Sequence, residues 1–420
     1  MINKKLITDD FKRTKERLAH KGTDGKLLDE IKVTIEERAA LQLQVERIRE
    51  ELNKLNNDIK LAHGKDDNLR NQISLKKDEL KDIEPKYNKL EQKEKDLLYL
   101  LPNFADDNAP IGKDESDNVI VSYHNYNVDD YKGKTYKLHW EIGEALDIFD
   151  PKRAIKVSGA MFSMIKGDGA NLLRALINLG LDLNRDKYTE IIAPHFVTTT
   201  NITNTGHLPK FKDDQYKIEG EETWANPTAE VPLTGMHAGE TFKKDELPKR
   251  YMAYCVSFRK EAGSAGKDTR GMQRLHEFHK VEMMGICTPD DIQKEWLAMV
   301  DDAVRIIELL KLPYRLVDLC TGDMGDKYAR CYDIEIYAPG LDKWLEVSSI
   351  GFFTDYQSRR ANIKYLKEDG TKEFVYTLNG SAMATPRVWA AILELYQKED
   401  GTVTVPEVLI PYMKKDKITG

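Results

Sequence analysis

The residues best placed to do chemistry lie between Phe258 and Met284, in the run FRKEAGSAGKDTRGMQRLHEFHKVEMM. Arg259 and Glu261 are two apart, so at the end of a strand both side chains leave the same face. Ten residues follow (262–271) with three glycines (Gly263, Gly266, Gly271), the cations Lys267 and Arg270, and no large apolar side chain, which predicts a mobile loop. The chain then returns as Arg274 to Glu282, where alternation puts Arg274, Phe278 and Glu282 on one face. Two antiparallel strands joined this way would set two guanidiniums beside one aromatic ring and one carboxylate. Planar, permanently charged forks suit phosphate oxygens, and a flat ring suits a purine, so the chemistry is that of a triphosphate and amine site. The spacing alone equally allows a basic surface hairpin with ordinary ion pairs.

Three further stretches could join such a site. In WANPTAEVPLT (224–234), Thr228 and Glu230 are two apart in a predicted loop, a pattern that also serves turns and helix caps. Asp333, Glu335, Glu346, Ser348 and Ser349 put carboxylates and hydroxyls on alternating strand faces. Near phosphate-binding arginines such oxygens would hold Mg2+, although they could as well be strand-edge acids paired with Lys343 or Arg359. Arg387 falls in the first turn of a predicted helix within 377–397, where the dipole welcomes anions. On that helix Val388, Ala391, Ile392, Leu395 and Tyr396 form the predicted buried side.

These pieces need a sizeable scaffold. With 420 residues, two domains are expected. Charged residues at 32% and apolar ones at 40% describe a soluble protein, and a net charge of -7 argues against a generally basic coat. The four cysteines, Cys255, Cys287, Cys320 and Cys331, show no CxxC pair, so neither zinc nor a disulfide framework is expected and a reducing cytoplasm is. No apolar run is long enough for a signal peptide or membrane span.

Residues 27–100 have a different character. Leu41, Val45, Ile48, Leu52, Leu55 and Ile59 recur at steps of four and three, the seam of a coiled coil. Leu69, Ile73, Leu80, Ile83, Tyr87, Leu90 and Leu97 repeat it, interrupted by Lys76 and Glu94. Between them AHGKDDN (62–68) predicts a turn at Gly64 with a helix cap at Asp67 or Asn68. The result is an antiparallel hairpin about 45 to 50 Å long at about 1.5 Å per residue. Pro85 should kink or locally unwind its second helix. The arm carries lysines and arginines on its outer faces, which by themselves could serve solubility alone. Residues 100–118, with Pro102 and Pro110 among acids and small polar residues, read as the way out of the arm, with 103–118 the linker to a second domain at 119–420. In that domain 139–184 predicts a helix, a short strand pair and a long amphipathic helix, and YTEIIAPHFVTT predicts a strand interrupted by Pro194.

The wording of these segments resembles that of class II aminoacyl-tRNA synthetases, and within them the seryl-tRNA synthetase family. FRxEAGSAGKDTRGMxRLHEFHKVEM is similar to their motif 2, KVSGAMFSMIKGDGANLLRALI to the motif 1 region, TAEVPLT to the substrate-covering loop, and the strand and helix ending near Arg387 to motif 3. The resemblance implies an α+β fold: an N-terminal antiparallel coiled-coil arm in a tRNA-binding domain (1–102), then a class II domain with a mixed, mainly antiparallel sheet flanked by helices. It implies activation of serine with ATP and Mg2+, transfer to tRNA(Ser) reached by the arm, and to tRNA(Sec) as well, and homodimerisation through the motif 1 region. Arg259, Glu261, Arg274 and Arg387 would be catalytic. ATP would meet Arg259, Lys260, Glu261, Arg274, Leu275, Phe278, Glu346, Val347, Ser348, Ser349 and Arg387, with Glu346 and Ser349 on the metal. Serine would meet Thr228, Ala229, Glu230, Arg259, Glu282, Asn379 and Ser381. The chain departs from the family pattern at Ile350, Gly351, Phe352 and Phe353, where small polar residues usually follow EVSS, and at Ala382 and Pro386, where motif 3 usually has glycine. More apolar bulk at the pocket and a stiffer backbone are the expected consequences. A paralogue that regulates, or loads serine onto another carrier, is the alternative these departures motivate.

Overall fold

The computed structural model describes residues 1–63, 65–262 and 270–420. Contacts divide them into Ile2–Pro102 and, with Met1, Asn103–Gly420. The first unit has two short helices, α1 (Lys5–Asp9) and α2 (Phe11–Ala19), before the arm helices α3 (Gly25–Leu61) and α4 (Asp67–Leu100). At 37 and 34 residues the arm helices run about 50 to 55 Å, slightly longer than expected. Asp66, one residue earlier than expected, caps α4 by accepting from the backbone of Asn68 at 2.9 Å and Leu69 at 3.0 Å. The turn expected at Gly64 lies outside the described residues.

The seam forms as the periodicity requires: Ile48, Leu52 and Ile73 are buried, with Leu55, Ile59, Leu80 and Ile83 packed around them. Its two interruptions are ionic. Lys76 reaches Glu51 and Glu79, each at 2.8 Å, and the buried Glu94 receives Lys4 at 2.7 Å and Arg38. α4 is not unwound at Pro85. Both Pro85 and Lys81, whose carbonyl loses its partner there, are exposed, so water can take the missing hydrogen bond.

The second unit is built on eight strands: β1 (Val119–His124), β2 (Thr189–Glu190), β3 (Lys249–Phe258), β4 (Glu277–Cys287), β5 (Tyr314–Asp318), β6 (Arg330–Ala338), β7 (Lys343–Phe352) and β8 (Tyr376–Ala384). Their order is β1-β5-β6-β7-β8-β4-β3-β2, and every pairing is antiparallel except that of β2 with β3. One face packs on helices α5 (His139–Ala145), α7 (Gly167–Asp182), α9 (Ile292–Leu309) and α11 (Thr385–Leu395), which enclose the main core, while α6 (Pro151–Ser158) contributes no residue to it. Two short helices, α8 (Glu230–Gly235) and α10 (Tyr356–Ala361), belong with the other face.

Several expectations change in detail. The strand pair expected within 139–184 is a single bridge between Phe149 and Ile165, and α6 fills the chain between them, because Asp150 caps it and Pro151 starts it. Pro194 separates β2 from a second short strand, Phe196–Thr198, as a residue without an N–H must. Residues 103–118 are anchored where Asn103 Nδ2 donates to the carbonyl of Phe353 at 2.7 Å and where Ala109 is buried beside Val317 and Leu319, while 113–117 are exposed. α11 is buried nearly all round, beyond the stripe of Val388, Ala391 and Ile392, while Leu395 and Tyr396 are only half-buried. Its interior Glu394 is satisfied by His139 Nδ1 at 2.7 Å and by the backbone N–H groups of His139, Gly340 and Leu341.

Candidate active site

The hairpin β3–β4 pairs Phe258 with Glu277 and Ala253 with Glu282, and β8 then sets Ser381 opposite Glu282. Residues opposite each other share a face, so Phe278, Lys280 and Glu282 of β4 and Asn379 and Ser381 of β8 look out from the sheet together. A cavity of about 550 Å³ opens over them. Arg259, Arg274 and Arg387, 128 positions apart at the extremes, all line it, together with Glu261, Leu275, Glu346, Val347 and Ser349.

At the mouth the geometry differs from simple alternation. β3 ends at Phe258, and Glu261 has φ of +50°, so the face shared by Arg259 and Glu261 on an extended strand does not form. Instead Glu261 pairs with Arg274 at 2.8 Å. Arg259 donates to the carbonyl of Pro227 at 3.3 Å and lies 5.1 Å from the ring centroid of Phe278, so one face of that ring already carries a guanidinium. Arg387, in the first turn of α11, reaches the Glu346 carbonyl at 2.6 Å and its carboxylate at 3.4 Å. The glycine-rich connection at 263–269, with Gly263, Gly266 and Lys267, lies outside the described residues.

Glu346 and Ser349 are three apart, which on a regular strand would send them to opposite faces. A bulge between Glu346 and Ser348 corrects this: Glu346 sits opposite Glu335 and Ser349 opposite Asp333, so both face the cavity. Ser348 is turned away and donates to the carbonyl of Ser381 at 2.6 Å, tying β7 to β8 rather than lining the site. Ser349 donates to Asp333 at 2.6 Å. Burial, and next the charge of Glu346, push the Asp333 carboxyl far above the usual carboxylate range.

The base is closed and ionic. Glu230, at the start of α8 and 1% exposed, accepts from Gln357 at 2.6 Å, from Asn379 at 3.0 Å and from the Lys327 ammonium. Glu282, also 1% exposed, accepts from Asn379 at 2.9 Å, from the Thr228 hydroxyl at 3.0 Å and from Lys280. Asn379 thus commits its amide N–H groups to two carboxylates and leaves a buried Oδ1 without a protein partner among the described residues. Burial lowers the Lys327 ammonium, with Glu230 opposing. His207, bonded through Nδ1 to the Thr205 hydroxyl at 2.9 Å, is held neutral by burial and then by the charges of Lys327, Arg259 and Lys280.

Of the residues anticipated for the site, three do not line the cavity. Ala229 is packed in a small core with Leu233 and Ile286, Ser348 binds the neighbouring strand, and Lys260 lies 5.6 Å over the ring of Tyr216. The TAEVPLT segment is no cover: Thr228 and Glu230 form the floor. None of Ile350, Gly351, Phe352 and Phe353 lines the cavity. Ile350 and Phe352 point into the main core, and Gly351 gives the room in which Tyr328 sits, since a Cβ there would fall 2.3 Å from that ring. Ala382 marks a second bulge and is buried, and Pro386 lines the cavity as an early residue of α11. The sequence reasoning missed Lys280, Lys327, Gln357 and His207. The alternation of Phe278, Lys280 and Glu282 was signal enough for Lys280, whereas nothing in GDMGDKYAR marks Lys327.

Comparison with known proteins bears on what such a site does. Residues 211–396 match the tRNA synthetase class II core domain (G, H, P, S and T), and residues 1–105 match the seryl-tRNA synthetase N-terminal domain. The serine–tRNA ligase of Dehalococcoides mccartyi is 42% identical over 428 residues, spanning 100% of both chains. Seryl-tRNA synthetase from Pyrococcus horikoshii, solved with ATP, superposes with a TM-score of 0.91 at 34% identity, over 100% of this chain and 99% of that one. The cytoplasmic serine–tRNA ligase of Naegleria fowleri, solved with AMP, gives 0.82 at 27% identity over 96% and 94%.

Proposed function

The chain belongs to the seryl-tRNA synthetase family, class II ligases that charge tRNA with serine, and on that premise we propose that it works through a seryl-adenylate. A serine carboxylate oxygen attacks the α-phosphorus of ATP, the new P–O bond forms as the bond to pyrophosphate breaks, and a hydroxyl of the terminal adenosine of tRNA(Ser), or of tRNA(Sec), then takes the seryl group as the acyl–phosphate bond breaks and AMP leaves. No enzyme nucleophile is needed, so the protein contributes position and charge. The observation that carries this reading is the convergence of Arg259, Arg274 and Arg387 on one cavity whose floor is polar and buried.

Arg259 bridges the α-phosphate and the serine carboxylate, Arg274 and Arg387 hold the outer phosphates, and Glu261 orients Arg274. Adenine stacks on the Phe278 face opposite Arg259. Serine lies over Thr228, Glu230, Glu282, Asn379 and Ser381, where the free Asn379 Oδ1 can accept from it. A floor built to pair a hydroxyl disfavours alanine, whose pairing groups are missing.

Glu346 and Ser349 fit Mg2+: both offer hard oxygens on one face, with the Asp333 carboxyl, which accepts from Ser349 at 2.6 Å, beside them. An ion held there would supply charge neutralisation to the phosphates. The exposed Ile155, Val157, Ile192 and Phe196 of the motif 1 region are the surface for a homodimer. The arm binds the tRNA through phosphates and sugars. No helix among the described residues is long and apolar enough to cross a membrane, and the enzyme is assigned to the cytoplasm.

ATP–pyrophosphate exchange with serine, threonine, alanine and glycine, run beside tRNA charging, is the test. Serine-dependent exchange together with charging is expected. No exchange with serine would overturn the reading, and exchange without charging would point to the carrier-loading paralogue.

A further inference from the structure

A substrate ammonium needs a carboxylate whose charge is not already matched by a cation, and the floor offers none in this state. The two oxygens of Glu230 take Gln357 Nε2, Asn379 Nδ2 and the Lys327 ammonium, and those of Glu282 take Thr228, Asn379 and Lys280. The two lysines differ in how they are held. Lys280 stands on a central strand, 7% exposed, and has a second partner in the Thr228 hydroxyl at 3.0 Å. Lys327 comes from the segment between β5 and β6, and Glu230 is its one ion-pair partner found among the described residues. Beyond that pair its ammonium lies 5.3 Å and 5.6 Å from the ring centroids of Phe353 and Tyr328, two faces that can take a cation displaced from the carboxylate.

We propose that Lys327 is a tethered competitor of the substrate ammonium: it occupies the ammonium position on Glu230 and must be displaced when an amino acid binds. The inference rests on serine occupying this floor. A built-in cation keeps Glu230 from being buried and unpaired in the empty site, and it raises the concentration of amino acid required to fill it. Ligands pass this filter by presenting an ammonium that binds Glu230 better than the lysine does, so Lys327 sets specificity through amino acid affinity rather than through the chemical step.

The test compares wild type with Lys327→Met, which keeps the apolar stem and removes the charge, and with Lys327→Ala. Calorimetry measures binding of L-serine and of L-glycerate, which has serine's carboxylate and side-chain hydroxyl but a hydroxyl in place of the ammonium. The expected result is that Lys327→Met tightens L-serine binding about tenfold, leaves glycerate unimproved, and lowers KM for serine in exchange with kcat little changed. Serine should also raise Tm more in the variant, because it restores the missing partner of Glu230. Should either variant fold poorly, the other and the serine-induced Tm rise decide the matter. Weaker binding of both ligands would make Lys327 a support of the site, and unchanged serine affinity would make it a bystander. Either result overturns the proposal. Serine binding to neither protein, with ATP still bound, would instead remove the serine reading of the floor and this inference with it.

Discussion

The two ends of the cavity are built on opposite principles. At the mouth Arg259, Arg274, Arg387 and Glu346 are partly open to solvent, with side chains of Arg274, Arg387 and Glu346 exposed by 29%, 27% and 46%. Their partners are few, chiefly single carboxylates and backbone carbonyls. At the floor Glu230, Glu282 and Asn379 are at most 3% exposed and nearly saturated with hydrogen bonds. A mouth held this lightly can reorganise around a charged, mobile triphosphate. A floor whose carboxylates are already ion-paired takes a new cation in exchange for one it holds, and its buried polar groups penalise a ligand that leaves them unpaired, which is the condition for discriminating between small amino acids.

That contrast can be broken by substitutions that strike one end at a time. Arg259→Ala should reduce serine-dependent exchange by about a thousandfold or more while leaving Tm almost unmoved, since the side chain stabilises a transition state rather than a core. Unchanged exchange would remove Arg259 from the chemistry. Deleting residues 27–100 touches neither end and should spare exchange while cutting tRNA charging about a hundredfold and flattening the salt dependence of tRNA binding. A comparable fall in exchange would mean that the arm unit supports the site.

Glu230→Gln is the opposite experiment to Arg259→Ala. It leaves Lys327 buried without its anion, at a cost of about 3 to 5 kcal/mol, so thermal unfolding should move down by several degrees and serine binding should be lost as well. A fully stable variant would show that the floor is not ionically locked. Arg387→Lys keeps the charge but loses the fork, and should raise KM for ATP about tenfold without affecting serine affinity.

His207 sharpens the comparison through pH. Its folded value lies below the unfolded one of about 6.5, so as pH falls below that point the unfolded chain takes up a proton that the folded one refuses, and stability is lost. His207→Gln should therefore lessen the drop in Tm between about pH 7 and pH 5 by a degree or two. An identical acid profile would show that the ring titrates freely.

Much of this architecture was legible without coordinates, for reasons that differ by region. The coiled-coil seam was visible because a repeat of three and four maps directly onto one helical stripe, and the stripe is buried where it was expected. Asp66 was missed as the cap by one residue because three polar residues in succession, Asp66, Asp67 and Asn68, can each serve. α1 and α2 left no such signature, being too short for a period to show. Alternation placed Phe278 and Glu282 correctly but failed at Ser348 and Ser349, since one inserted residue reverses every later side chain and nothing local announces the bulge.

Periodicity and motif wording are properties of neighbouring residues, so the elements, the family and the arginines could be read from the chain before it folded. Three outcomes had to wait for the closed sheet: which side of its strand Ser349 takes, that the hydrophobic Ile350 and Phe352 point away from the site, and that Lys327 lies against Glu230, 97 positions earlier in the chain. They depend on register between strands and on charges meeting across space, quantities that no single stretch of sequence contains.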